Sequence, residues 1–106
     1  MNLTELARDI GLDETQYAEL LELFARTSRS DVAAIKEAVA AGDAHRAICA
    51  SHSIKGASAN LGLEEIRNRA ETIEALSHNG RLKEIGGALR ELETGLAGIE
   101  RSLTER

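Results

Sequence analysis

His52, Lys55 and Gly56 stand within one helical turn of one another in the stretch ASHSIKGASANLGL, residues 50–63. An imidazole in water titrates near pH ~6.5, so at neutral pH it is mostly uncharged and one ring nitrogen keeps its lone pair. Such a nitrogen can accept a phosphoryl group. An ammonium one turn away can offset part of that group's charge. A glycine one turn away removes the side chain that would crowd an approaching partner, although inside a helix it costs about 1 kcal/mol relative to alanine. A second set overlaps the first: His45, Cys49 and His52 share one helix face. Imidazole and thiolate are both zinc ligands. Three residues do not close a four-ligand site, however, and Lys55 beside them disfavours a cation, so no metal is expected.

The side on which His52 lies follows from stepping 100° per residue along a helix. Ala47, Ala50, Ile54, Ala57 and Leu61 fall on the far side, a small aliphatic stripe suited to packing. His45, Ile48, Cys49, Lys55, Gly56 and Ala59 fall on the near side with His52. The imidazole is therefore expected to face solvent. Ile48, Cys49, Ala59 and, just past the helix, Leu63 are expected to form a small apolar docking patch around it.

The elements that position this face are helical throughout, with no strand alternation. Asn2 with Glu5 opens a short helix to about Ile10, and Asp13 with Gln16 repeats the capping pattern. A long helix runs on to Ala41, through the polar TSRSD stretch, and stops at Gly42. Asp43 caps the next helix, which carries His52 and ends near Asn60 before Gly62. A fourth begins near Glu64, turns Ile66, Ala70 and Ile73 inward, and ends at the turn His78-Asn79-Gly80. The last carries Leu82, Ile85, Leu89, Leu92, Leu96, Ile99 and Leu103, a seam with alternating steps of three and four. Gly86 and Gly87 inside it either allow close packing or mark a weak first turn. The expected fold is all-α: an up-down four-helix bundle with a short extra N-terminal helix as a lid, residues 1–106 forming one domain and the seam packing within a monomer.

Composition narrows the function. With 106 residues, 42% of them hydrophobic and only 2% aromatic, the core must be aliphatic. A net charge of −5 argues against non-specific nucleic-acid binding, which rests on basic residues. No apolar run approaches the roughly 20 residues of a membrane span, and no secretory leader is apparent, so a cytoplasmic location is expected. The single cysteine forms no internal disulfide. Glu64–Glu65 and Glu71–Glu74 read as solvated helix faces. No paired catalytic carboxylates, nucleophile elbow or phosphate-cradling loop is present.

The segment HSIKGASANLGL resembles the signature of histidine phosphotransfer domains, His-x-x-Lys-Gly-x-Ser/Ala followed by Leu-Gly, through His52, Lys55, Gly56, Ser58, Leu61 and Gly62. The resemblance implies a phosphocarrier, not an enzyme in its own right. His52 would take a phosphoryl group from, or pass it to, an aspartate of a receiver domain in a response regulator or hybrid kinase. The receiver would supply Mg²⁺, so no cofactor is expected on this chain. Some members place a glutamine and an arginine on the following helix, near the histidine; here those positions fall near Glu74 and His78, and neither matches. That departure leaves Lys55 as the main cation, with Arg67 or Arg81 as possible replacements for the missing arginine. It also motivates an alternative, a non-catalytic helical adaptor docking on a kinase or receiver through the same patch.

Overall fold

The computed structural model describes residues 1–106. It contains no strand and, in order, helices α1 (Leu3–Asp9), α2 (Glu14–Ala41), α3 (Ala44–Asn60) and α4 (Glu64–His78), a 3-10 turn (Leu82–Glu84), and α5 (Gly86–Glu105). Helices α2 to α5 form an up-down bundle in which α2 and α4 each pack against α3 and α5, while α1 packs on α2. At 1.5 Å per residue α2 is about 42 Å long, and the long dimension of the molecule is 41 Å. One helix thus sets the length of the bundle.

Each early helix begins where a short side chain can satisfy a free backbone N–H. Asn2 Oδ1 accepts from Glu5 N at 3.0 Å. Asp13 Oδ1 accepts from Gln16 N at 2.8 Å while Gln16 Oε1 accepts from Asp13 N at 3.2 Å, a reciprocal capping box. Asp43 Oδ1 accepts from Arg46 N at 3.1 Å. Helix α2 ends on Gly42 in the left-handed region, φ 68°, where a Cβ would be strained. The TSRSD stretch does not break the helix: Ser28 and Val32 are buried, and Arg29 reaches across to α5 with two hydrogen bonds to Glu100, at 2.7 and 3.1 Å.

The core is aliphatic, centred on the fully buried Leu21, Ile35, Ile54, Ile73, Ile85, Leu92 and Leu96, with Tyr17 and Phe24 as its two rings. The Tyr17 hydroxyl donates to the Leu61 carbonyl at 2.6 Å, tying the start of α2 to the end of α3. Along the last seam, Ile85 through Ile99 are buried, whereas Leu82 lies in the 3-10 turn and is only half-buried. Of the two roles open to Gly86 and Gly87, the structure favours a weak first turn. A Cβ on Gly87 would meet nothing within 4 Å, and one on Gly86 only the Arg90 guanidinium. Close packing is done by Gly95, where a Cβ would lie 3.0 Å from Ile66 Cγ1.

Candidate functional site

His52 stands in the middle of α3, and its side chain is 67% exposed. Behind it Ala47, Ala50, Ile54 and Leu61 are buried and Ala57 is half-buried, so the aliphatic stripe faces the bundle as its phase requires. Two further positions on the packing side are polar: Ser51 and Ser58 are fully buried. Each hydroxyl donates back to its own helix, Ser51 to the Ala47 carbonyl and Ser58 to the Ile54 carbonyl, both at 2.7 Å. Opposite them α4 presents Ala70 and Ser77, also buried, with Ser77 donating to the Ile73 carbonyl at 2.7 Å. These small side chains let α3 and α4 approach closely. Lys55 lies about 60° from His52 on the same side as Ser51 and Ser58, and Glu74 lies about 40° from Ala70 on α4.

The close approach creates a three-residue centre. Glu74 Oε2 lies 2.8 Å from His52 Nδ1, and Glu74 Oε1 accepts from Lys55 Nζ at 2.5 Å. The Glu74 side chain is 12% exposed and that of Lys55 27%. Burial alone would raise the Glu74 carboxyl; the hydrogen bonds from Lys55 and His52, with their charges, outweigh it and hold the group below the ordinary carboxylate value. An ionised carboxylate can only accept. In the neutral ring, His52 Nδ1 therefore carries the hydrogen and Nε2 the lone pair.

Three expectations from the sequence are corrected here. Glu74 is not part of a solvated face but a buried-side partner of His52 and Lys55, because the small α3–α4 interface draws it inward. Leu63 is not part of an exposed patch; it is 7% exposed and joins the core, because the turn after Gly62 directs it inward at the start of α4. Neither Arg67 nor Arg81 replaces the missing arginine: Arg67 pairs with Glu71 and Arg81 with Glu84, each on its own segment. His78 is exposed in the last turn of α4 and has no hydrogen-bond partner among side chains. The sequence signal that points to Glu74 is its register, since it falls near one of the two positions on the following helix at which some family members place a polar partner of the histidine.

Around the imidazole, Cys49, Gly56 and Ala59 are exposed and Ile48 is half-buried. A Cβ on Gly56 would meet nothing within 4 Å, so this glycine serves no helix contact and leaves open space beside His52. Elsewhere, α2 exposes two large apolar side chains, Leu20 by 43% and Leu23 by 50%. Burial raises the Asp31 carboxyl on α2 above its ordinary value, with Ser53 on α3 working against the rise. His45 Nε2 and Cys49 Sγ lie 3.6 Å apart, and His52 is turned to Glu74 instead of joining them. No helix is long and apolar enough to cross a membrane.

The Hpt domain family model matches residues 19–102, which takes in α3, α4 and nearly all of α2 and α5. A search of curated proteins by sequence gives no match. Among solved structures the chain is similar to the crystal structure of histidine-containing phosphotransfer protein B (HptB) from Pseudomonas aeruginosa PAO1, with a TM-score of 0.80 and 24% identity over 97% of this chain and 87% of that one. That likeness is one of fold. The family match spans most of the sequence and contains the exposed histidine and its two partners, and the chain belongs to the histidine phosphotransfer (Hpt) domain family.

Proposed function

We propose that this protein carries phosphoryl groups on His52 Nε2, between aspartates of receiver domains in a two-component phosphorelay. The observation that carries the reading is the His52–Glu74–Lys55 centre, which engages Nδ1 and leaves Nε2 of the exposed ring free for a partner. In the transfer, the P–O bond of a receiver's aspartyl phosphate breaks as the Nε2–P bond forms. The Asp carboxylate leaves on the receiver, and the hydrogen on Nδ1 stays in place. As the Nε2 lone pair is used, positive charge develops on the ring. Glu74 is placed to compensate that charge through the Nδ1 hydrogen bond, at no reorganisation cost. Lys55 acts first on Glu74, holding the carboxylate ionised and oriented. The partner receiver is taken as the source of Mg²⁺ and of the acidic pocket around its aspartate. The docking surface is taken as Gly56, Ala59, Ile48 and Cys49 on α3, with Gly56 leaving open space beside the imidazole.

The test is incubation with a phosphorylated receiver that binds the protein. Acid-labile, base-stable label should appear on the wild type and be absent from His52→Gln. Label that persists in His52→Gln refutes the site. No label at all, with receiver binding unchanged in His52→Ala, would refute phosphotransfer and leave a docking adaptor.

A further inference from the structure

The second set of chemistry-bearing residues on α3 takes no part in the transfer chemistry. His45 and Cys49 are one turn apart, both exposed, with Nε2 and Sγ 3.6 Å from each other. Zinc holds thiolate sulfur at about 2.3 Å and imidazole nitrogen at about 2.0–2.1 Å in a tetrahedral arrangement, which puts the two ligand atoms about 3.5–3.6 Å apart. The pair, in hydrogen-bond contact in the free chain, thus already has the separation the ion imposes. The charge that argued against a cation here is directed elsewhere: Lys55 lies about 120° around α3 from Cys49, with its ammonium bound to Glu74. No third His, Cys, Asp or Glu converges on the pair within the chain, so the remaining two positions must be filled from outside. A second copy supplies the same two ligands and completes Cys₂His₂, the composition of closed structural zinc sites. Its two thiolates also cancel the charge of the ion.

We infer that His45 and Cys49 form half of a Zn²⁺ site, shared between two copies of the chain across the His52 face of α3. On binding, each neutral His45 donates its Nε2 lone pair, and each Cys49 gives up its S–H proton to solvent and binds as thiolate. Two protons are released for each ion. Because the site lies one turn from His52, the zinc-bridged pair covers the imidazole and stops phosphotransfer. This last consequence rests on the proposed function; the metal site does not.

Co²⁺ is the probe for the site, added to reduced protein without oxygen. Tetrahedral d–d bands and a thiolate-to-cobalt charge-transfer band should saturate at one ion per two chains. Sedimentation should show a dimer with Co²⁺ or Zn²⁺ and a monomer with chelator. Cys49→Ser and His45→Gln should each abolish bands and dimer, whereas His52→Gln should keep both. Absence of the thiolate band, its survival in His45→Gln, or saturation at one ion per chain in a monomer overturns the shared site. In transfer assays with Mg²⁺ present, Zn²⁺ should abolish labelling of the wild type and leave His45→Gln labelled as without zinc. Equal labelling of the wild type with and without Zn²⁺, in a sample that shows the cobalt bands, overturns the gating alone.

Discussion

Replacing Glu74 tests how the centre works. Glu74→Ala removes the acceptor 2.8 Å from His52 Nδ1 and the partner of Lys55 Nζ. A hydrogen bond to a charged group contributes about 1.5–3 kcal/mol net. The imidazole is 67% exposed, so solvent screening brings the loss to the bottom of that range or just below it, about 1–1.5 kcal/mol. That corresponds to a fall of roughly 5- to 15-fold in the rate of phosphoryl transfer into His52. Glu74→Gln keeps an acceptor oxygen but not the charge. Neutral hydrogen bonds are about half as strong as charge-assisted ones, so the loss there is about 2- to 4-fold. The assay is single-turnover transfer from a phosphorylated receiver, with receiver affinity measured alongside. The expected order is wild type, then Glu74→Gln, then Glu74→Ala, with affinity unchanged. Lys55→Ala completes a cycle. If Lys55 acts through Glu74, the double variant Lys55→Ala/Glu74→Ala is no slower than Glu74→Ala; an additional loss would mean that Lys55 also meets the phosphoryl group directly. Wild-type rates in a correctly folded Glu74→Ala protein would refute the carboxylate's part in the reaction.

Three further outcomes are expected. Gly56→Ala should raise thermal stability by about 0.5–1 kcal/mol through helix propensity alone, since its Cβ meets nothing within 4 Å; Gly56→Leu should weaken receiver binding without loss of helix by circular dichroism. Tyr17→Phe leaves the Leu61 carbonyl without the hydroxyl that donates to it at 2.6 Å, a loss of about 1–3 kcal/mol, or a Tm lower by at least about 4 °C in a scanning experiment. Glu74 is held below the ordinary carboxylate value in the fold, so the folded state binds fewer protons there than the unfolded one. Its contribution is complete above the ordinary glutamate value and fades as pH falls through the lowered one. The Tm gap between wild type and Glu74→Gln should therefore shrink on acidification, and a gap that widens would contradict the ion pair.

What the sequence made legible was whatever a single helix decides. Capping by Asn2, Asp13 and Asp43, the stop at Gly42, and the outward phase of His52 each depend on residues three or four apart, and each was readable as such. What depended on two helices was not. Glu74 looked like half of a solvated acidic pair because its own helix face is polar; only the depth at which α4 sits against α3 makes it a buried-side partner. Leu63 was placed outside for the opposite reason: it follows α3 in sequence, but Gly62 with φ 74° turns the chain before it and seats it in the core.

The serines of the α3–α4 interface show why this pairing depends on residues that take no part in chemistry. Leucine at Ser51 or Ser58 would favour burial on hydrophobic grounds alone, yet it would hold the helices further apart, since interaxial distance follows the side chains at the contact. A charged hydrogen bond weakens quickly once donor and acceptor leave the 2.7–3.2 Å range, and the His52–Glu74 contact at 2.8 Å leaves little slack. Serine fills the position with a small side chain and returns its hydroxyl to a carbonyl of its own helix, so no buried polar group is left unpaired. The geometry that frees Nε2 is therefore set one layer beneath the histidine, by the size of side chains that a partner never meets.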